Sequence, residues 1–214
     1  MLVVNQGFSS RYLLRTDIFD ILKASGCRII ILSPAAKEKN FVLEFEGREV
    51  FHELYEPTKY RKVSSKIYQY FTHARLYAFK TAYYNNFTNY WWNAYFKKRS
   101  HLPFLKKCLD VILKATIFLL SRSSSFRRGF IKIESLVSPQ PHSVIFRKYK
   151  PDIVVTTSLG MLPFDRFVMQ EAKKNGSDTV SIVLSWDNTT TKGLTGAKVD
   201  YAVAWTQTMH DEIV

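Results

Sequence analysis

The sequence predicts a doubly wound α/β fold, a parallel sheet with helices on both faces. Three observations predict it. The chain opens strand–turn–helix–strand from Leu2 to Pro34, the first unit of such a fold. The same alternation resumes after Lys150, where apolar runs at Ile153–Thr157 and Thr179–Leu184 flank a helical pattern. These runs are short, continuous and rich in β-branched residues, as strands buried on both faces should be. Together they describe a Rossmann-like sheet.

The elements follow in order. Leu2–Val4 is a short first strand, and Gly7 lies in the turn after it. Ser9 or Ser10 can cap a helix running to about Ser25. Tyr12, Leu13, Phe19 and Leu22 recur near helical spacing within it, and Gly26 supplies its stop. Arg28–Leu32 is a second strand, ended by Ser33-Pro34. Phe41–Phe45 and Val50–Leu54 look like further short strands. From Thr58 tyrosines, phenylalanines and basic residues alternate through Trp91-Trp92 to Lys97-Lys98-Arg99. Pro103 opens a helix to about Leu120, and Ser121–Ser125 is a polar break. Phe126–Tyr149 reads as mostly helical, interrupted near Pro139 and Pro141. No strand is expected from 58 to 150. Gly160–Lys174 is the helix of the second α/β part, closed by Asn175-Gly176. Tyr201–Ala204 is the last strand, and Trp205–Val214 starts another helix. Residues 1–57 and 151–214 thus form one α/β domain, and 58–150 a helical, basic and aromatic insertion.

Charge is distributed unevenly. The 214 residues carry a formal net charge of +13. Residues 58–150 hold 19 Lys/Arg and only two acids, Asp110 and Glu134, while both flanks are slightly acidic. At 46% hydrophobic and 23% charged the chain is built to bury a core rather than to stay disordered. A basic segment with interleaved aromatics suits an anionic membrane surface, with rings at headgroup depth and Lys/Arg on phosphates. It also suits nucleic acid, or a solvated basic face over a helical core. The membrane surface is favoured, and the lack of any named RNA or DNA motif counts against nucleic acid.

Several chemistries find no support. Cys27 and Cys108 have neither disulfide nor metal spacing and read as two buried or half-buried thiols of a reducing compartment. The five histidines are scattered, so no metal site is expected. No GxSxG or Cys–His signature points to a nucleophilic hydrolase. The start of the chain lacks the apolar core of a signal peptide. No run reaches the ~18 apolar residues of a bilayer span. Asn86-Phe87-Thr88 and Asn188-Thr189-Thr190 match the glycosylation sequon by chance.

Three polar turns fall where strands end, the edge at which open α/β sheets take ligands. In Ser185-Trp186-Asp187-Asn188-Thr189-Thr190-Thr191-Lys192-Gly193, Trp186 can stack on a sugar or base. Asp187 and Asn188 can hydrogen-bond ligand hydroxyls, or Asp187 can act as a base. Lys192 can meet a phosphate, and Gly193 allows close approach. The same residues also suit local roles, Asp187 and Asn188 as turn formers and Trp186 as packing. Asn5-Gln6-Gly7-Phe8-Ser9-Ser10 leads into a helix N-terminus able to hold an anion or hydroxyl, but it is neither GxGxxG nor a P-loop. Thr156-Thr157-Ser158-Leu159-Gly160 can line the same cleft or cap the next helix.

The Trp-bearing loop, with Asp200-Tyr201-Ala202-Val203-Ala204-Trp205 and the trailing Gln207, His210 and Glu212, resembles the end of the N-terminal domain of bacterial GT-B-like glycosyltransferases. These are distantly similar to the polymer glycerophosphotransferases and other envelope-polysaccharide transferases. Arg11–Asp17, Ile29–Pro34 and Lys150–Ser158 look similar too. The resemblance covers both α/β flanks and says little about 58–150. It implies one half of a GT-B fold, the acceptor side of a nucleotide-sugar-dependent transferase acting on an envelope glycan or lipid-linked acceptor. Such an enzyme uses no bound cofactor or metal, only a nucleotide-sugar as co-substrate, and works at the cytoplasmic face of the membrane. The implied site is Asp187 as catalytic residue, with Trp186, Asn188, Thr189, Lys192, Gly193, Gly7 and Ser158 on the substrate. The chain ends about where a donor-binding domain should begin. A second domain or subunit is therefore expected to complete the cleft, with this chain inactive alone. The rival expectation is a non-enzymatic module that docks through its basic helical segment.

Overall fold

The computed structural model describes residues 1–56, 66–82, 86–99, 103–160, 163–185 and 194–213. Six strands form one parallel sheet: β1 (Leu2–Val3), β2 (Ile29–Ser33), β3 (Val50–Leu54), β4 (Ile153–Thr156), β5 (Asp178–Ile182) and β6 (Tyr201–Val203). Their order is β3-β2-β1-β4-β5-β6. The chain winds outward in one direction from β1 and in the other from β4, so the switch point lies between these two strands. Leu2 pairs with Ile31 on one side and Val155 on the other. This is an α/β fold of Rossmann-like type.

Central strands are apolar on both sides because both faces are covered. All five residues of β2 are buried. On one face Leu13 and Leu14 of α1 (Gly7–Leu14) and Phe19 of α2 (Asp17–Ala24) pack on Leu2, Val4, Ile29 and Ile31. On the other, Phe146 of α8 (Ser143–Tyr149) and Phe167, Val168 and Ala172 of α9 (Pro163–Lys174) pack on Val3, Ile30, Leu32 and Val154. Each such fully buried side chain contributes roughly 1.5–3 kcal/mol. β6 is followed by α10 (Gln207–Ile213), whose Met209 packs with Leu159 and Val183.

Two local expectations are corrected. Phe41–Phe45 is not a strand: Lys39–Glu44 is a short helix, α3. A four-residue spacing brings Phe41 and Phe45 onto one face, their rings 5.0 Å apart and against the β2 side of the core. The first helix is two helices, broken between Leu14 and Asp17, with Asp17 and Asp20 in the first turn of the second where they complement the helix dipole.

Between β3 and β4 lie α4 (Lys66–Ala82), α5 (Asn86–Arg99), α6 (Phe104–Arg122), α7 (Ser124–Val137) and α8. Among the described residues this stretch has no strand. It has its own core: Phe71, Ala74, Tyr77 and Ala78 of α4 meet Leu113, Ile117 and Leu120 of α6 and Phe130 of α7. Trp92, Tyr95 and Phe96 of α5 close over Tyr77, and burial pushes the Tyr77 phenol up to about 12. Ser123 accepts the Phe126 amide and so caps α7 just as α6 ends. The Tyr68 ring meets Phe167 of α9 edge-on, so the helical layer and the sheet share a core.

The cysteine expectation is also corrected. Cys27 and Cys108 are both free and both exposed. Cys27 follows the Gly26 turn, and Cys108 lies on the outer face of α6, positions that spacing in the sequence does not reveal. No helix among the described residues is long and apolar enough to cross a membrane.

Candidate functional site

The carboxyl ends of β1 and β4 meet in a buried polar cluster. Asn5 leaves β1, and its amide donates to Asp165 Oδ1 in the first turn of α9. Ser9 Oγ donates to Asn5 Oδ1 at 3.3 Å and lies 2.8 Å from Thr157 Oγ1. Ser9, Thr157, Ser158 and Asp165 are all buried. Burial pushes the Asp165 carboxyl up to about 6, although Ser158, the Thr157 amide and Asn5 all favour its ionised form. Ser158 Oγ and Asp165 Oδ2 lack a hydrogen bond of regular geometry among the described residues. This is the switch point of the sheet, and its wall is made of polar groups rather than leucines.

The turn that follows β4 is strained. Leu159 and Gly160 both take left-handed backbone angles, φ 53° and 65°, and a left-handed leucine is uncommon. Two hydrogen bonds hold it there. The Leu159 amide donates to Ser181 Oγ at 2.7 Å, and Thr195 Oγ1 donates to the Leu159 carbonyl at 2.6 Å. The Gly196 amide donates to the Gly160 carbonyl at 3.3 Å. A Cβ on Gly160 would lie 3.1 Å from that of Ala197. The segment 194–197 is therefore sewn onto the turn.

A buried ion cluster lies behind this segment. Glu134 of α7 pairs with Arg75 of α4, and its Oε1 is 3.3 Å from Arg166 Nε of α9. Arg166 also donates to Thr72 Oγ1 at 3.3 Å. A Cβ on Gly196 would run into both arginines, so the 194–197 backbone can approach them only as glycine. Burial lowers the pKa of Arg75, as does Arg166, while Glu134 raises it. Burial pushes Glu134 up, and both guanidiniums pull it back. One acid between two arginines leaves an excess positive charge under the sheet edge.

Aromatic rings rise around the same edge. Phe8, on the first turn of α1, is 64% exposed. Tyr12 and Trp205 lie 6.1 Å apart, joining the helix after β1 to the turn after β6. Exposed rings beside a polar strand edge suit a sugar or base face.

The sequence-predicted residues divide in two. Trp186, Asp187, Asn188, Thr189, Lys192 and Gly193 lie outside the described residues. Leu194, the first described residue after them, donates its amide to the Arg75 carbonyl of α4 at 3.4 Å. Gly7 opens α1, and an added Cβ there meets nothing within 4 Å. Ser158 is buried beside Asp165, and the next residue, Leu159, donates its amide to Ser181 Oγ. Sequence reasoning missed Asp165, Thr157 as partner of Ser9, and the Arg75–Glu134–Arg166 cluster. Asp165 belongs to no motif. Glu134 carried a usable signal, since a segment with only two acids has a specific use for each: the other, Asp110, sits 2.7 Å from Arg99.

Among the described residues no three His, Cys, Asp or Glu side chains are grouped to hold a metal. Comparison with protein-family models, with curated proteins and with solved structures returns no match.

Proposed function

We propose that this chain is the acceptor-side half of a GT-B-like glycosyltransferase that works peripherally at the cytoplasmic face of a membrane. One observation carries the reading. The polar switch point of Asn5, Ser9, Thr157 and Asp165 lies beside a strained turn, and Thr195 and Gly196, just after the Trp-bearing loop, are hydrogen-bonded to that same turn. A doubly wound sheet takes its ligands there. In the proposed reaction the acceptor hydroxyl attacks the anomeric carbon of a nucleotide-sugar. The carbon–oxygen bond to the nucleoside diphosphate breaks, and the hydroxyl proton passes to the Asp187 carboxylate. Trp186, Asn188, Thr189 and Lys192 contact acceptor or phosphate, Gly193 lets the backbone approach, and Gly7 and Ser158 belong to the floor of the cleft. A donor-binding domain or subunit supplies the nucleotide-sugar.

The test uses the natural protein with radiolabelled UDP-, GDP- and CDP-sugars and a bacterial lipid extract. Label entering the lipid or polymer fraction, cut about 100-fold or more by Asp187→Ala, supports the reading. A folded chain that, assayed together with its donor-binding domain or subunit, transfers nothing from any donor overturns it. Transfer that survives Asp187→Ala removes Asp187 from the mechanism. A second reading, a non-enzymatic module docking on anionic membrane through its helices, is favoured by the exposed apolar residues of α6. It predicts vesicle binding with no transfer.

A further inference from the structure

The helical layer carries an apolar stripe that points away from its own core. Helix α6 buries Leu113, Ile117 and Leu120 against α4 and α7. Its opposite face repeats at spacings of three and four: Phe104, Cys108, Val111, Ala115, Phe118 and Arg122, all exposed. Val111 is 66% and Phe118 56% exposed, and Ile112 and Leu119 widen the stripe. An ordinary surface helix turns this face into charges. Here, among the described side chains of the helix, the charges other than Asp110 are positive. Lys107 and Lys114 flank the stripe on one side, Lys114 with its ammonium 4.7 Å from the Phe96 ring centre. Arg122 ends it, over the Phe118 ring. Asp110, the sole acid of the helix, is taken by Arg99.

We infer that α6 lies in the plane of an anionic phospholipid surface, with Phe104, Val111, Ile112, Phe118 and Leu119 in the acyl boundary and Lys107, Lys114 and Arg122 on lipid phosphates. Two properties on the page select this occupant. The stripe is long and one-sided rather than a pocket, which matches a plane. The charges along one side and at the end of the stripe, Lys107, Lys114 and Arg122, are cationic, which matches anionic headgroups and repels a second copy of the same basic face. A helix of this kind lies about 5–10 Å into the headgroup boundary and does not span. This rests on the membrane-peripheral part of the function proposed above, and not on the chemistry of transfer.

Cys108 lies on the stripe and provides the probe. The full chain carrying Cys27→Ser is labelled at Cys108 with an environment-sensitive fluorophore and mixed with vesicles of phosphatidylglycerol and phosphatidylcholine, or of phosphatidylcholine alone. The expected result is a blue shift and cosedimentation with the anionic vesicles only. Val111→Asp with Phe118→Asp, both at exposed positions, should cut binding at least about 10-fold, with unchanged circular dichroism and melting temperature. Each of Lys107→Glu, Lys114→Glu and Arg122→Glu should weaken binding about fivefold or more at low salt. If the wild-type chain ignores anionic vesicles, both this inference and the membrane placement fall. If it binds them but the Val111/Phe118 variant binds equally, the stripe is wrong and the membrane placement stands. Saturable RNA binding in place of vesicle binding, or a dimer that the Val111/Phe118 variant dissolves, also overturns the inference. Transfer to a detergent-dispersed acceptor is read separately, so failure of the chemistry cannot be mistaken for failure of the surface.

Discussion

Glu134 and Arg166 face each other at 3.3 Å across the junction between the helical layer and the sheet, with side chains 0% and 1% exposed. Arg75 completes the group from a third helix. Removing one member of such a buried set leaves charge without a partner, whereas replacing all members with apolar groups does not.

Glu134→Ala should therefore destabilise the protein by about 3–5 kcal/mol, read from urea unfolding. The triple change Arg75→Met, Glu134→Leu, Arg166→Met should recover most of that loss. A Glu134→Ala protein as stable as wild type would show that the two arginines find other partners.

Asp165 should leave a signature in the pH dependence of stability. Its folded-state value is about 6 against an ordinary 3.8. The folded protein thus holds this proton more tightly than the unfolded chain. Stability from this group is present below pH 3.8 and is lost as pH rises through 6, by about 3 kcal/mol in all. Asp165→Asn should flatten that part of the profile. Asn5→Ala removes a donor to the carboxylate and should move the fall to higher pH. Identical profiles for wild type and Asp165→Asn would contradict the assignment.

Asp200 behaves with the opposite sign. Burial alone would raise its pKa, but Lys173, Lys198 and the Thr179 amide and hydroxyl prevail and hold it below the ordinary carboxylate range. Its contribution is present above an ordinary 3.8 and is lost as pH falls through the lower folded value. Asp200→Ala should cost about 1–3 kcal/mol. It should also speed amide exchange across 194–200, since the carboxylate ties the start of β6 to β5 and α9. Unchanged exchange there would refute the tie.

Gly160→Ala should strain the turn after β4 in two ways, through a left-handed φ and through crowding against Ala197 and Met169. The expected loss is about 1–3 kcal/mol. Leu159→Gly relieves the neighbouring left-handed residue and should offset part of it in the double variant. A drop in melting temperature for Gly160→Ala, partly restored by Leu159→Gly, is the measurement.

The innermost strands were legible in the sequence because both of their faces are covered. A run such as Ile29–Leu32 has no other stable environment, and Val154 and Thr179 announce theirs in the same way. Phe41–Phe45 was not, since a short apolar run fits a strand or one buried turn of helix equally, and only packing on Phe19 decides. The polar edge was half legible. Asn5 and Thr157 stand in turns that chain order marks as strand ends, and Ser9 follows in the first turn of α1. Asp165 is one carboxylate in a helix start, and its meaning comes from Asn5, which tertiary structure alone brings near. The exposed side of α6 was hidden for the converse reason: its periodicity states that the helix is apolar on both sides, not which side faces inward.

The parallel pairing of β1 with β4 has a kinetic consequence. Leu2 waits for Val155, and the entire helical layer is made between them. During synthesis β1, β2 and β3 can assemble early, but one flank of the central strand stays open until the helices have emerged and β4 follows. Long-range parallel pairing of this kind is slow, and an open strand flank is a template for the wrong partner. The helical layer, with its local contacts, should fold first and bring β4 to β1. The time at which the central strand gains its second neighbour is then set by those helices rather than by the sheet they interrupt.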